Sequence, residues 1–367
     1  MKRREFVTKA GITTAAVAAV NGCGSKSVEG PNVQTRKTVR WDLASSFPKS
    51  LDTIFAAAEV LSRRVEQLSG GKFQIRVYQS GEKVPGNQVL DEVRNGGSEC
   101  GHSASYYFIG KNPTLAFDTA VPFGLNARQQ NAWLGSAGGL ELMREVFSDF
   151  NIINFPGGNT GVQMGGWFRR EIASLQDMKG LVMRIPGQGG EIINRIGGQA
   201  TAIPGGDIFP ALEKGTIDAT EWVGPYDDMK LGFHKIAKNY YYPGWWEPGP
   251  TLSFYVNKDA WGRLPADYQA AFEVATAEAN LGMMMDYDAK NPGAFKELRG
   301  MPDVKILPFP EDMMVAAQKE AKDLMQEKVA ADAGFKKVYD HWNAYRVESS
   351  AWLSTAEMTY ANFVYRS

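Results

Sequence analysis

The run Leu181-Val182-Met183-Arg184-Ile185 sets four apolar residues around one guanidinium, between Gly180 and Pro186. That is the pattern of a short buried strand. The surrounding stretch, Gly157 to Gly187, reads as strand (Val162 to Phe168), short amphipathic segment (opened by Ser174, closed by Gly180) and strand again. An arginine inside such a strand constrains whatever packs on it. Arg is almost never fully buried without a partner, and an unpaired buried charge is strongly destabilising. Either an internal carboxylate or an anionic ligand must reach Arg184, and both readings stay open at this point.

The first residues differ in kind from the rest. Arg3-Arg4 is followed by Phe6 and Lys9, then by the apolar stretch Ala10 to Val20. A stretch of eleven residues is too short to span a bilayer. A basic head before a short apolar core is an export signal, here of the twin-arginine kind, over residues 1–22. Val20-Asn21-Gly22-Cys23 resembles a lipoprotein cleavage box, with Asn21 departing from the usual small or apolar residue. A lipid on Cys23 would anchor the mature chain. Removing residues 1–22 takes away Lys2, Arg3, Arg4, Lys9 and Glu5, which moves the net charge from −1 to −4 and argues against nucleic acid. With Cys23 modified or lost, Cys100 stands alone and no intramolecular disulfide can form.

Residues 23–36 are polar, with Gly, Ser and Pro, and read as a tether. The remaining length suffices for two compact domains. Thr38 to Leu43 alternates as a strand, Leu51 to Leu68 has helical spacing, and Phe73, Ile75 and Val77 mark the next strand. A short helix (Asn87 to Arg94) and a strand-like piece (Ser98 to Ser105) follow, then a helical stretch from Asn126 to Phe150. The second half repeats the alternation. Gln188 to Ile196 is a helix, Gln199 to Ile203 a strand, Asp207 to Lys214 a helix ended by Gly215, and Thr216 to Trp222 a strand. Thr251 to Val256 and Val304 to Leu307 are strands around a long helix from Ala266 to about Tyr287, and everything after Pro310 is helical. The fold class is α/β with covered sheet faces.

Motifs for catalysis are scarce. Three histidines, His102, His234 and His341, fall at no metal-ligand spacing. Pro186-Gly187-Gln188-Gly189-Gly190 follows a strand, but the third glycine of a dinucleotide fingerprint would fall on Ile192. Glu221-Trp222 ends a strand, where ligands of α/β sheets collect. Glu247 is embedded in Trp245-Trp246-Glu247-Pro248. With the amide oxygen of Gln163, two carboxylates make an all-oxygen set suited to a hard cation. The same pair also reads as rim carboxylates meeting a Lys or Arg, or as the acids of a secreted glycosidase or lyase.

These residues carry a resemblance. Val121-Pro122-Phe123-Gly124-Leu125, Lys179-Gly180 through Arg184, Leu212 to Ala219, Glu221-Trp222 and Trp246-Glu247 make the chain similar to the extracytoplasmic solute receptors of TRAP transporters. Gln163, Glu221, Trp222 and Glu247 together resemble the branch that binds α-keto acids. The resemblance implies a two-lobed periplasmic binding protein fold with hinge segments and a long C-terminal helix. Residues 37–158 plus about 250–303 would form lobe 1, and 159–249 plus about 304–330 lobe 2. Residues 331–367 would form a dimerisation helix exchanged between two copies. The resemblance further implies a non-enzymatic receptor for a 2-oxo or 2-hydroxy monocarboxylate such as pyruvate, delivered to the TRAP permease. Arg184 would hold the substrate carboxylate. Gln163, Glu221, the Trp222 backbone oxygen and Glu247 would hold sodium or calcium, and the substrate would complete the ion's shell. Tyr106 and Tyr107 would line the pocket from lobe 1.

Overall fold

The computed structural model describes residues 37–365; the export signal, Cys23 and the tether lie outside the described residues. Eleven strands follow in chain order among them: β1 (Val39–Ser45), β2 (Phe73–Tyr78), β3 (Cys100–Ser103), β4 (Ile152–Asn159), β5 (Gly166–Phe168), β6 (Val182–Arg184), β7 (Gln199–Thr201), β8 (Ala219–Thr220), β9 (Asn239–Tyr242), β10 (Thr251–Asn257) and β11 (Lys305–Pro308). They form two sheets, β2-β1-β3-β10-β4 and β11-β9-β5-β8-β6-β7. In the first, β1 runs parallel to β2 and β3, while β10 is antiparallel to β3 and β4. In the second, β6 is parallel to β7 and β8, and β5 is antiparallel to β8 and β9.

The chain passes between sheets three times: from β4 to β5, from β9 back to β10, and from β10 to β11. The last passage contains the helix Ala266–Gly300, whose buried Tyr268, Phe272, Ala275, Ala279 and Met283 face β4 and the helix Ala56–Leu68. Helical spacing predicts that helix only to about Tyr287. It continues to Gly300 through Pro292, an exposed position inside the helix. The predicted strand Thr216 to Trp222 shrinks to Ala219–Thr220. Gly215, at φ +73°, ends the preceding helix Gly205–Lys214, and the chain needs the next residues to turn. Two strands carry no periodic signal. In β4, Pro156 and Gly157-Gly158 mask the pattern, and a register shift opposite Leu252 and Ser253 accommodates them. β4 is an edge strand, where proline is tolerated. β9 is hidden in the aromatic run before Pro243.

After Pro310 the chain is helical as expected, in the pieces Glu311–Ala331, Ala333–Leu353 and Thr359–Val364. Phe335, Val338 and Trp342 pack into the chain's own core beside Phe117 and Trp133. Beyond them Trp352, Tyr360, Phe363 and Tyr365 are exposed.

Candidate functional site

Arg184 pairs with Thr220 across the parallel strands β6 and β8, so Arg184 and Glu221 leave the carboxyl ends of neighbouring strands. The Glu221 N–H donates to the Arg184 carbonyl at 3.2 Å. The Arg184 guanidinium donates from Nη1 to the Glu221 carboxylate, with side-chain exposures of 3% and 2%. Its Nε donates to the carbonyl of Ile203 at 3.1 Å, and its plane lies over the Trp222 ring at 5.3 Å. An internal carboxylate therefore does reach Arg184, and it is Glu221.

Gln163 lies on the passage from β4 to β5. Its Nε2 donates to Thr160 Oγ1 at 2.9 Å, and its Oε1, also buried, has no hydrogen-bond partner among the described residues. Its backbone carbonyl accepts from Gly244 N–H at 3.1 Å. A Cβ on Gly244 would stand 2.7 Å from that carbonyl, so glycine is what lets the two passages approach. This approach brings Glu247, on the passage from β9 to β10, to the same place. Tyr106 and Tyr107 come from the short turn Ser105–Phe108 after β3, their rings 5.0 Å apart and edge to face.

Tyr106, Tyr107, Gln163, Arg184, Glu221, Trp222 and Glu247 thus line one cavity of ≈ 10 Å³. That is room for about one water. A larger cleft of ≈ 350 Å³ adjoins it and shares Tyr106, Tyr107 and Arg184. Every binding or metal-ligating candidate named from the sequence lines this cavity. Thr160, Phe47 and Leu252 also line it and were not foreseen. Thr160, three residues before Gln163, could have been suspected as its turn partner; the two apolar residues carry no signal that separates them from core.

The charges are poorly compensated. Burial, and then Glu247, push the Glu221 carboxyl well above its ordinary range, while Arg184 pulls it down. Burial raises Glu247 too, against hydrogen bonds from Tyr106 and Gln163. Burial also works against the charge on Arg184, and Glu221 with the two tyrosines outweighs it. Two carboxylates therefore share one guanidinium. Among the described residues no group of three or more His, Cys, Asp or Glu side chains gathers at a metal-binding distance. The donors at hand are two carboxylates and an amide oxygen without a partner, a set for a hard cation rather than a soft one.

Residues 44–332 match the family described as bacterial extracellular solute-binding protein, family 7 (DctP), and the chain belongs to it. Its place is therefore extracytoplasmic, and no helix among the described residues is long and apolar enough to cross a membrane. The chain is 51% identical over 367 residues, 99% of both chains, to a monocarboxylate 2-oxoacid-binding periplasmic protein of Nostoc sp.. It is similar to a TRAP transporter solute-binding protein of Bordetella bronchiseptica, solved as a mixed-occupancy dimer with co-purified calcium and picolinate in one site. That identity is 47%, over 90% of this chain and 98% of the other, with a TM-score of 0.89. A TRAP periplasmic solute-binding protein of Pseudoalteromonas atlantica, solved with sodium and pyruvate, is 40% identical over 89% and 99% of the two chains, TM-score 0.86.

Proposed function

We propose that this chain captures a 2-oxo or 2-hydroxy monocarboxylate such as pyruvate, together with sodium or calcium, and hands it unchanged to the permease of a TRAP transporter. The observation that carries the reading is the convergence of Gln163, Arg184, Glu221 and Glu247 on one buried cavity with an unpartnered amide oxygen in its wall. Arg184 holds the substrate carboxylate in a bidentate pair. Gln163, Glu221, the backbone oxygen of Trp222 and Glu247 hold the cation. When bound, that ion offsets both carboxylates and gives the substrate's oxygens a place in its shell. Without substrate, Arg184 compensates Glu221 instead, so loading moves the guanidinium from one carboxylate to another. The picolinate of the Bordetella relative fits the same logic, since its ring nitrogen and carboxylate chelate as a 2-oxo acid does.

Residues 37–158 with about 250–303 form one lobe in this reading, and 159–249 with about 304–330 the other, each built on one sheet. Gln163 and Glu247 then ride on the crossing segments. A cavity with room for about one water does not admit pyruvate, so the lobes part to load and close over the ligand. Calorimetry with pyruvate on ligand-stripped protein, with and without sodium or calcium, tests the site. Binding that ignores the cation rejects it, and consumption of the pyruvate would favour an enzyme using Glu221 and Glu247.

The assembly in this reading is a homodimer built through the C-terminal helix. Among the described residues Trp352 (65% exposed), Phe363 (81%) and Tyr365 (87%) stand largely uncovered. The tail leaves the body at the ion pair Arg128–Glu357, beside a groove of ≈ 770 Å³ lined by Leu134, Phe155, Leu281 and Met284. A second copy's tail satisfies both faces. Light scattering of a chain cut after Leu353 checks this, with a folded monomer expected. The cut spares Phe335, Val338 and Trp342, which belong to the chain's own core. Export by the twin-arginine route, and a lipid at Cys23, complete the reading; mass spectrometry of the mature protein reads both.

A further inference from the structure

Outside the ligand cavity, the helices Glu311–Ala331 and Ala333–Leu353 line a cleft of ≈ 330 Å³, with the loop Val121–Phe123 as its end wall. We propose that this cleft docks an acidic, extended peptide segment of a partner protein. Its lining runs along two helices. Gln318, Lys322 and Gln326 line one side at steps of four residues, and Tyr339, Trp342 and Arg346 line the other at steps of three and four. Both rows run along helix faces, so the cleft extends for about 12 Å at 1.5 Å per residue. That length suits a few residues of extended chain better than a compact solute. The floor is apolar, with Val121, Ala321, Met325 and Trp342 all buried.

Charge sets the chemistry of the occupant. The lining contains Lys322 and Arg346 and no carboxylate. Among the described residues neither cation forms an ion pair. Arg346 only bonds Asn343 Oδ1, at 2.8 Å from Nη2, and lies over Trp342 at 5.7 Å. On the Lys322 helix the neighbouring acids pair outside the cleft lining, Asp323 with Lys319, Glu327 with Arg195 and Glu320 with Lys319 and Arg195. Two unpaired cations flanking an aromatic floor call for a carboxylate-bearing, partly apolar segment.

The end wall ties the cleft to the ligand cavity. Phe123 is held at φ +56°, where non-glycine residues are rare, its ring stacked on Trp245 at 5.0 Å. Its N–H donates to the Trp245 carbonyl at 2.8 Å. Trp245 belongs to the same turn as Glu247. Movement of that turn on loading therefore reshapes the cleft's end, and a partner docked there reads the loaded state. This dependence on ligand, unlike the cleft itself, rests on the binding site proposed above.

Carbodiimide cross-linking of the full-length mature protein to the capped peptide acetyl-Glu-Phe-Glu-Leu-Glu-amide tests the assignment, mapped by mass spectrometry. The peptide is expected to attach to Lys322 at least fivefold more than to Lys319 or Lys305, which are 69% and 62% exposed. Arg346→Gln should cut the Lys322 yield severalfold, and the glutamine version of the peptide should not compete. Yields that merely follow lysine exposure, or that ignore Arg346→Gln, overturn the proposal. Adding pyruvate with calcium should change the Lys322 yield at least twofold, with calorimetry on the same sample reporting whether the pyruvate bound. Bound pyruvate with an unchanged yield overturns the coupling, whereas absent pyruvate binding counts against the ligand site alone.

Discussion

Buried carboxylates occupy two regions of this molecule, and their partners differ. Asp118 accepts from Ser253 Oγ at 2.7 Å, from Asn154 Nδ2 at 2.7 Å and from Ser105 Oγ. Asp228 accepts from Tyr240 Oη at 2.8 Å, from Trp167 Nε1 at 3.0 Å and from the Gly224 N–H at 3.1 Å. Both are scaffold groups saturated by neutral donors. In the ligand cavity, Glu221 and Glu247 repel each other, share Arg184, and lie beside the Gln163 amide oxygen, which has no hydrogen-bond partner among the described residues. Saturation makes the first pair rigid and the second pair receptive. The scaffold pair also serves the site. Asp118 grips Ser105, and Thr119 Oγ1 accepts the Ser105 N–H at 2.8 Å, which together fix the turn carrying Tyr106 and Tyr107.

The largest separation of the two regions comes from Arg184→Lys. A point ammonium lacks the planar fork. Pyruvate binding should weaken by about 2–4 kcal/mol, the scale of breaking one partner of a buried pair, while the chain still folds. Calorimetry and circular dichroism on the same sample decide it; near-native affinity in the variant rejects the clamp. Glu221→Gln and Glu247→Gln should each weaken binding, with a double variant worse by less than the sum because both act through one cation. Stripping sodium and divalent ions from the buffer should reproduce the double variant.

Asp118→Ala belongs to the other region and should reverse the pattern. It leaves Ser253 Oγ and Asn154 Nδ2 without that acceptor and Ser105 Oγ with only the Tyr255 hydroxyl, at about 1–3 kcal/mol for each group left unsatisfied. Urea unfolding should show a loss of a few kcal/mol, with a smaller change in affinity. Glu247→Gln should instead leave the ligand-free protein as stable as the parent or slightly more so, because it removes one of two repelling buried charges. If both substitutions destabilise equally, the distinction between saturated and receptive carboxylates collapses.

The scaffold's donors explain what the sequence discloses and what it withholds. β1 and β2 are legible because apolar and polar residues alternate over five positions, and β10 because it is a short run rich in aromatic and β-branched residues. The cavity residues are legible through oddity: an arginine in an apolar strand, glutamates among tryptophans. Asp118, Asp227 and Asp228 look like ordinary surface acids, since nothing local announces that Ser253, Tyr287 or Trp167 will fold over them. β4 hides for a related reason. Its Pro156 and two glycines are permitted by an edge position and a bulge, and both are properties of the neighbour β10.

The smallest expected effect is the pH dependence of stability, and it has a part in each region. Burial raises the Asp228 carboxyl from 3.8 to about 7, against the hydrogen bonds from Tyr240, Val223 and Trp167. Between those values the native state holds a proton that the unfolded chain has released. This group's contribution is therefore complete below about pH 4 and lost as pH rises through about 7. Glu221 and Glu247 are raised in the same direction and add to the same fall. One proton limits the slope to about 1.4 kcal/mol per pH unit, and relaxation around buried groups leaves only a fraction of that. Urea midpoints of the ligand-free protein should therefore decline from pH 5.5 to pH 8. Asp228→Asn should flatten the decline by removing the scaffold part. Saturating pyruvate with calcium should flatten it independently, because both glutamates are then ionised at every pH in the range. The two treatments should add, since one acts on the saturated group and the other on the receptive pair. A slope untouched by ligand would mean that Glu221 and Glu247 stay protonated in the complex, and they would then be no ligands for a cation.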